Sequence, residues 1–447
     1  MLNADLMITN GIVVTMDKDR RIFRGTVAVK GSRIAAIVPE GNTAVPEATR
    51  TIDAAGHAVI PGLINVHDHL RNLAPGVSVA AGLKLDAYLR ALWKLQRHMT
   101  AEDFRLTALL ACVKLLKSGC TTVVDHAYPY HVPGIDTACL EGYRSSGIRW
   151  YYARGIMTKP YKPLCETRQA AFRRIEELID MDGVPPDRLM VAPVSFRQAT
   201  PADFRESRRL ADKRGLRLYT HIAETREEVA ASLKEFGYRP VEHLHTLGWS
   251  GKDVTLVHCV LLSKKELGIL EKTGTAVVHC PSNHMKLAKG VTEVPLLLSR
   301  GIPVCLGVDG MDNMFVEMRL ELLMQSLANL NPAVLKTETA LELATLNGAR
   351  AVGAEKDLGS IEVGKKADLV TVRLGQAHTA PMLNVLYTLI HMAHPGDVNA
   401  VVVDGRVAVE NGRVVGVDEA ALSAEVQKAA RAYLERAGHA ALLPPYS

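Results

Sequence analysis

The middle of the chain repeats one pattern eight times, in which a short apolar run typical of a β-strand is mostly followed by a helical stretch. The apolar runs lie at residues 58–67, 121–125, 149–154, 189–194, 217–221, 254–258, 275–279 and 303–309. The helical stretches lie at residues 85–98, 102–116, 166–179, 201–213, 264–271 and 315–328. Eight β/α units predict a fold of the α/β class, closed into a (β/α)8 barrel of the TIM type with distortions.

An open, doubly wound sheet is the alternative arrangement of such units. Sheets of that kind usually carry a glycine-rich phosphate loop directly after their first strand. Here the first run ends in His67-Asp68-His69 instead, so the sequence favours the barrel.

The two ends of the chain differ from its middle. Asn10-Gly11 in the first part, and Asp404-Gly405 and Asn411-Gly412 in the last, separate short strand-like runs and are typical of β-hairpins. We therefore predict three parts. Residues 1–58 form half of a small β-sandwich, residues 59–358 form the barrel, and residues 359–447 form the other half with a terminal helix.

Composition excludes several classes of protein. Hydrophobic residues make up 48% of the chain and charged residues 23%, as in an ordinary globular protein. The net charge of +5 includes no basic run, which argues against a partner nucleic acid. No apolar stretch reaches the roughly 18 residues of a membrane span. Seven cysteines without a Cys-x-x-Cys spacing, and no apparent leader, favour a reduced protein of the cytoplasm.

Metal-binding residue types stand at the ends of the predicted strands. His67 and His69 are two residues apart, so both side chains point to the same side of the first strand. His221 and Asp309 end the fifth and eighth runs. Because active sites of such barrels lie at the carboxyl ends of the strands, we expect these four side chains to meet. Three imidazoles and one carboxylate predict a single divalent ion, Zn²⁺ or Fe²⁺, with a position left for water.

Two further residues have the types needed to move protons. Glu224 follows His221 by three positions and is predicted to be the general base and then the proton donor. The alternative is a carboxylate placed at a helix start, where the helix dipole favours it. His258 is predicted to orient the water or to stabilise developing charge, and the alternative is a core histidine. The fourth run has no Lys or Glu to bridge a second ion.

These motifs resemble the amidohydrolase superfamily over nearly the whole chain. The matching segments are residues 61–69, 220–225, 257–260, 279–281, 306–310, 347–350 and 359–369. The likeness is to the branch of chlorohydrolases and aminohydrolases acting on nitrogen heterocycles, which includes 8-oxoguanine deaminase, s-triazine hydrolases and S-adenosylhomocysteine deaminase. The resemblance implies that His67, His69, His221 and Asp309 bind one Zn²⁺ or Fe²⁺, that Glu224 and His258 handle protons, and that the chain forms a homodimer.

The expected reaction is therefore a deamination, in which hydroxyl replaces an amino group on an s-triazine, purine or pterin ring. A chlorohydrolase acting on the same kind of ring is one alternative, and a deaminase of the S-adenosylhomocysteine or 5′-methylthioadenosine type is another. The resemblance leans towards the 8-oxoguanine and triazine enzymes at residues 125–128 and 153–157. Val194-Ser195 stands where the S-adenosylhomocysteine type usually has a His, which argues against an adenosine-type substrate. The candidate substrate residues are Tyr88, Gln96, His126, Tyr128, Arg154, Ser195, Arg197, His279 and His284. For His279, a hydrogen bond that supports the metal ligands from behind is as consistent with the sequence as direct contact with the substrate.

Overall fold

The strands of the protein form two sheets within residues 3–42, 47–71, 79–310 and 313–442, which are the residues that the computed structural model describes. The strands are β1 (Asn3–Val14), β2 (Ile22–Lys30), β3 (Arg33–Pro39), β4 (Glu47–Asp53), β5 (His57–Pro61), β6 (Leu63–Asp68), β7 (Cys120–Ala127), β8 (Arg149–Ile156), β9 (Leu189–Pro193), β10 (Arg217–Ile222), β11 (Val254–His258), β12 (Ala276–His279), β13 (Val304–Leu306), β14 (Leu369–Arg373), β15 (Val398–Val403), β16 (Arg406–Glu410) and β17 (Arg413–Val414).

Helices connect the strands of the middle region. In the described residues, those of six or more residues are α1 (Leu85–Gln96), α2 (Ala101–Lys117), α3 (Ile135–Ser146), α4 (Arg168–Ile179), α5 (Pro201–Arg214), α6 (Arg226–Phe236), α7 (Pro240–Thr246), α8 (Lys264–Thr273), α9 (Pro281–Lys286), α10 (Val294–Ser299), α11 (Met314–Asn329), α12 (Thr337–Ala344), α13 (Leu346–Ala351) and α14 (Glu419–Arg436). None of the helices in these ranges is long and apolar enough to cross a membrane.

Strands β6 to β13 form the predicted barrel. They are parallel and hydrogen-bonded in chain order. The two end strands meet where the N–H groups of Val308 and Asp309 donate to the carbonyl of His67, at 3.0 and 2.9 Å. Apolar side chains such as Ile64, Val66 and Val257 fill the interior below this edge. The α/β fold with a barrel is thus confirmed.

The strands of both termini form the separate sheet, which has nine strands in the described residues. Its order is β17, β16, β15, β14, β5, β1, β2 and β3, and β4 pairs with β1. The close antiparallel pairing of β5 with β14 joins the N-terminal and C-terminal segments.

One sequence expectation needs correction. The apolar run 58–67 is not one strand of the barrel, because it divides at Gly62 into β5 of the terminal sheet and β6 of the barrel. A Cβ atom on Gly62 would lie 2.1 Å from Thr121 Oγ1, so the chain passes β7 too closely for any side chain. Apolar periodicity does not show this break, because both strands are buried.

Candidate active site

The carboxyl ends of the barrel strands bring the four predicted metal ligands into one cluster. Asp309 Oδ1 lies 3.3 Å from His67 Nε2 and 3.5 Å from His69 Nε2. The Nε2 atoms of His67 and His221 are 3.3 Å apart. His67, His221 and Asp309 are buried, and His69 is nearly so. The structure therefore places side chains from β6, β10 and the segment after β13 around one point.

The hydrogen bonds on the far side of two imidazoles determine which nitrogen carries the proton. His221 Nδ1 lies 2.7 Å from the carbonyl of Val194, which can only accept, so Nδ1 is the donor. His67 Nδ1 lies 2.7 Å from the Tyr219 hydroxyl. That hydroxyl donates its own proton to the carbonyl of Val66, so it accepts from His67.

Where the two rings are neutral, the lone pair of each Nε2 therefore faces the same space. Burial, together with the nearby His67, lowers the pKa of His221 to about 3, so this ring is neutral at ordinary pH. Two lone pairs facing each other at 3.3 Å repel unless a cation lies between them. With the carboxylate of Asp309, the donor set fits a divalent ion that accepts nitrogen and oxygen ligands.

The backbone around the ligands is fixed by two polar side chains of β6. Asn65 Oδ1 accepts from the N–H groups of His67 and Val308, at 3.2 and 3.0 Å. Asp68 Oδ1 accepts from the N–H groups of His69 and Gly310, both at 2.8 Å. These bonds tie the end of the first barrel strand to the segment that follows the last one.

Two residues of the site, one of them a predicted metal ligand, adopt a left-handed backbone conformation. The φ angles are 80° at His258 and 52° at Asp309. Non-glycine residues rarely adopt this conformation, and it costs free energy that the surrounding structure must offset. Such strain concentrates at functional sites, where it directs a side chain that regular strand geometry would point elsewhere.

Glu224 lies beside the cluster and is held by three groups. Its Oε1 is 3.2 Å from His258 Nε2 and 2.5 Å from Lys289 Nζ, and its Oε2 is 2.9 Å from Arg197 Nη1. Burial alone raises the pKa of Glu224, but the charges of Lys289 and Arg197 outweigh burial and hold it below the usual value. The carboxylate is therefore ionised and able to accept a proton at neutral pH.

Asp309 and His258 are also held in defined charge states. Burial opposes ionisation of Asp309, but His67 and Lys289 lower its pKa below the usual range. Burial and the charge of Lys289 lower the pKa of His258 well below its usual value, so its ring is neutral. An ionised Glu224 next to a neutral His258 is a pair suited to proton transfer.

These groups line a cavity of about 540 Å³, a volume that includes its open mouth. Helix α1 supplies an apolar wall, and the ionisable groups lie on the other walls. The lining residues are His69, Arg71, Leu85, Tyr88, Leu89, Leu92, Tyr128, Ser195, Arg197, Gln198, His221, Glu224, His258, Asn283, Leu287, Lys289 and Asp309.

The predicted substrate residues divide into three groups. Tyr88, Tyr128, Ser195 and Arg197 line the cavity. His126, His279 and His284 lie behind it: the ring centroid of His126 is 4.5 Å from that of His221, His284 Nε2 is 3.0 Å from His258 Nδ1, and His279 is hydrogen-bonded to Glu321. Gln96 and Arg154 do not reach the cavity wall.

The positions of Gln96 and Arg154 do not support a contact with substrate. The guanidinium of Arg154 donates to Glu166 and lies 3.5 Å from the ring centroid of Tyr130, and these partners hold it away from the cavity. Gln96 is buried at the end of α1, and its side-chain amide has no hydrogen-bond partner among the described residues.

Two cavity cations, Arg71 and Lys289, were missed by the sequence analysis. Arg71 continues the two-residue spacing of His67 and His69, and that spacing was a usable signal. Lys289 lies in a loop after α9, and nothing in its local sequence distinguishes it from a solvated lysine.

Comparison with known proteins shows what the chain is similar to. Residues 58–408 match the model of the amidohydrolase family. The chain is 34% identical to a 5-methylthioadenosine/S-adenosylhomocysteine deaminase of Syntrophobacter fumaroxidans, over 93% of this chain and 96% of that protein. It is 31% identical to a 5′-deoxyadenosine deaminase of Methanosarcina mazei, over 97% and 99% of the two chains.

Solved structures give the same result. An adenosine deaminase of Xanthomonas campestris with bound zinc superposes with a TM-score of 0.90 at 29% identity, covering 97% of this chain and 99% of that one. An atrazine chlorohydrolase of Arthrobacter aurescens, complexed with zinc and atraton, superposes with a TM-score of 0.87 at 25% identity, covering 95% and 99%.

Proposed function

The chain belongs to the amidohydrolase family, and we propose that it is a metal-dependent deaminase that replaces an amino group on a nitrogen heterocycle by a hydroxyl group. The observation that carries the proposal is the pair of imidazoles, His67 and His221, whose Nε2 atoms converge beside an ionised carboxylate. His67, His69, His221 and Asp309 would hold one divalent ion, and the zinc-containing structural relatives favour Zn²⁺ over Fe²⁺.

The chemistry divides between the ion and the protein. A divalent ion held by His67, His69, His221 and Asp309 would lower the pKa of a water and so supply a nucleophile at neutral pH. Glu224 accepts the proton released from that water and later delivers it to the departing amino group. His258, 3.2 Å from Glu224, donates a hydrogen bond where negative charge builds on the new oxygen.

The relatives and the cavity together indicate a flat heterocyclic substrate and leave several ring types open. The curated relatives carry adenosine-type names, whereas the sequence motifs lean towards the 8-oxoguanine and triazine enzymes. Ser195 lies in the cavity wall, at the position where enzymes of the S-adenosylhomocysteine type usually have a His. The apolar wall of α1, opposite the ionisable groups, suits a flat ring in any of these classes.

A chlorohydrolase reaction is the second candidate, favoured by the structural likeness to the atrazine enzyme. The test uses the zinc-loaded enzyme with amino and chloro forms of triazines, purines and pterins, and with 5′-methylthioadenosine and S-adenosylhomocysteine. We expect ammonia from the amino rings, and its loss after chelation of the metal. Chloride release with no ammonia from any amino ring would replace the deaminase proposal by the second candidate.

A further inference from the structure

His284 is a buried histidine that contacts His258 from the side facing away from Glu224. It lies in α9, the helix that follows β12, and only 1% of its surface is exposed. Its Nε2 is 3.0 Å from Nδ1 of His258, which is itself 1% exposed. Two imidazole nitrogens at this distance form a hydrogen bond only if one carries a proton and the other a lone pair. The direction of this bond therefore decides which nitrogen of His258 is protonated.

The surroundings of His258 favour a neutral ring. Lys289 Nζ lies 2.5 Å from the same Glu224 oxygen that His258 faces, so a second buried cation at that oxygen is unfavourable. Burial and the charge of Lys289 lower the pKa of His258 well below its usual value, and burial and His279 do the same to His284. A neutral imidazole carries one proton. In His258 that proton is either on Nε2, towards Glu224, or on Nδ1, towards His284.

The carboxylate of Glu224 distinguishes the two arrangements. Its Oε1 lies 3.2 Å from His258 Nε2. An ionised carboxylate only accepts hydrogen bonds, so it attracts a protonated Nε2, whereas a bare Nε2 would turn its lone pair towards negative charge. With the proton on Nε2, Nδ1 of His258 is an acceptor. Nε2 of His284 is then the donor of the 3.0 Å bond.

We infer that His284 is a positioning residue, which donates its Nε2 proton to His258 and keeps the N–H of His258 turned towards Glu224 and the reacting atoms. The inference rests on the proposed function and deepens it, because His258 is the group that stabilises the new oxygen there. When Glu224 accepts a proton from water, it loses its charge and attracts this N–H less. The bond from His284 does not depend on that charge, so it still fixes the ring while negative charge builds on the new oxygen.

Nitrogen NMR of the zinc-loaded protein tests the position of the proton without any substrate. When the ring nitrogens of the 16 histidines are labelled with 15N, the two signals of His258 are those lost in His258→Gln. We expect a protonated Nε2 and an unprotonated Nδ1 that accepts a hydrogen bond. In His284→Met, which removes the donor, the Nδ1 signal should move to that of a nitrogen without a hydrogen bond. His245→Met, at an exposed position of α7, is the matched control and should leave both signals in place.

Activity separates this positioning role from a purely structural one. On a heterocycle that the wild-type protein deaminates, His284→Met should lose at least about 10-fold in kcat, with little change in KM or zinc content, because the N–H that stabilises the new oxygen is no longer held in place. His284→Gln should recover most of the loss, since its side-chain amide can donate from nearly the same place as the imidazole Nε2.

Three outcomes overturn the inference. The first is a proton on Nδ1 of His258 in the wild-type protein, a result that needs no variant to fold. The second is an Nδ1 signal that does not move in folded His284→Met. The third is a kcat that falls equally in His284→Met and His284→Gln, because packing alone would then explain the loss. The proposed function fails separately: if no amino ring yields ammonia while the nitrogen signals are as expected, deamination is wrong and the hydrogen bond from His284 stands.

Discussion

At the scale of single residues, the proposed mechanism depends on Glu224 for proton transfer. Its carboxylate contacts His258, Lys289 and Arg197, and replacement by an amide keeps the shape but removes the basic oxygen. We expect Glu224→Gln to bind metal normally and to lose about 10³-fold in kcat, the order of magnitude of general acid–base catalysis. Elemental analysis and ammonia release measure the two quantities.

The matched control for this variant lies three residues further along the chain. Glu227 is exposed in the first turn of α6, so Glu227→Gln should retain both metal and activity. Activity of Glu224→Gln close to that of the wild type would remove Glu224 from the mechanism.

In the proposed mechanism, Lys289 extends to lower pH the range in which Glu224 is ionised and can act as a base. Its ammonium lowers the pKa of Glu224, and activity requires the ionised form, so activity falls as the pH drops through that pKa. Lys289→Met removes the lowering charge and should move the acid limb of the kcat/KM profile to higher pH. Lys286→Met, exposed at the end of α9, should leave the profile in place. An acid limb that does not move in Lys289→Met would contradict this assignment.

At the scale of helices and strands, the sequence predicted the elements whose ends are set by neighbouring residues, such as a capping side chain or a terminating glycine. Helix α5 begins at Pro201 as predicted and ends at Arg214, one residue beyond the predicted end. Thr200 caps its first turn, and Gly215 adopts the left-handed conformation that ends it. Helix α3 was missed because Gly142 lowers its helix propensity. That glycine is required by packing, since its Cβ would lie 2.7 Å from the carbonyl of Arg105 in α2.

The cluster of predicted metal ligands could be foreseen from the sequence for a related reason. The barrel places every strand end on one edge, so His67, His69 and His221 could be joined without knowing any distance. Residues 307–309 were predicted as strand, yet β13 ends at Leu306, and the left-handed conformation of Asp309 has no local sequence signal. Arg154 was predicted to contact the substrate but forms an ion pair with Glu166, a partner that residue spacing does not identify.

Substitution of Gly307 tests how closely the two end strands of the barrel must approach each other. A Cβ atom there would lie 2.6 Å from His67 Cβ and 3.1 Å from Cys280 Sγ. Gly307→Ala should push β6 away from β13, lower the zinc content, and reduce the free energy of unfolding by about 1–3 kcal/mol, as overpacking does. His67→Ala, which removes a ligand outright, gives the lower limit of zinc content.

Gly268 offers a control of the same substitution. It lies within α8, and a Cβ on it would meet nothing within 4 Å. Gly268→Ala should leave zinc content unchanged and raise stability by up to about 1 kcal/mol, because alanine favours helix. If Gly307→Ala retained full zinc content and stability, the two strands would not be as tightly coupled as the contacts indicate.

At the scale of the whole molecule, a buried ion pair joins the barrel to the terminal sheet. Arg149 begins β8, and its guanidinium donates to Asp368, which directly precedes β14. Both side chains are about 95% buried. The backbone carbonyl of Asp368 also accepts from the N–H of Gly62, where the chain passes between the two sheets. The pair therefore links three segments that are distant in sequence.

Breaking this pair from one side should uncouple the two sheets. Asp368→Asn leaves the buried Arg149 with Asp404 as its remaining acid, at 3.4 Å, and should lower the free energy of unfolding by about 3–5 kcal/mol. The exposed pair of Arg209 with Glu206 is the control, and Glu206→Gln should change stability by about 0–1 kcal/mol. Replacing Arg149 and Asp368 together by leucine should recover much of the loss, because no uncompensated charge stays buried. Unfolding of the three variants by guanidinium chloride measures these changes in the free energy of unfolding. Equal losses in Asp368→Asn and in the double leucine variant would mean that packing, and not the charge pair, joins the sheets.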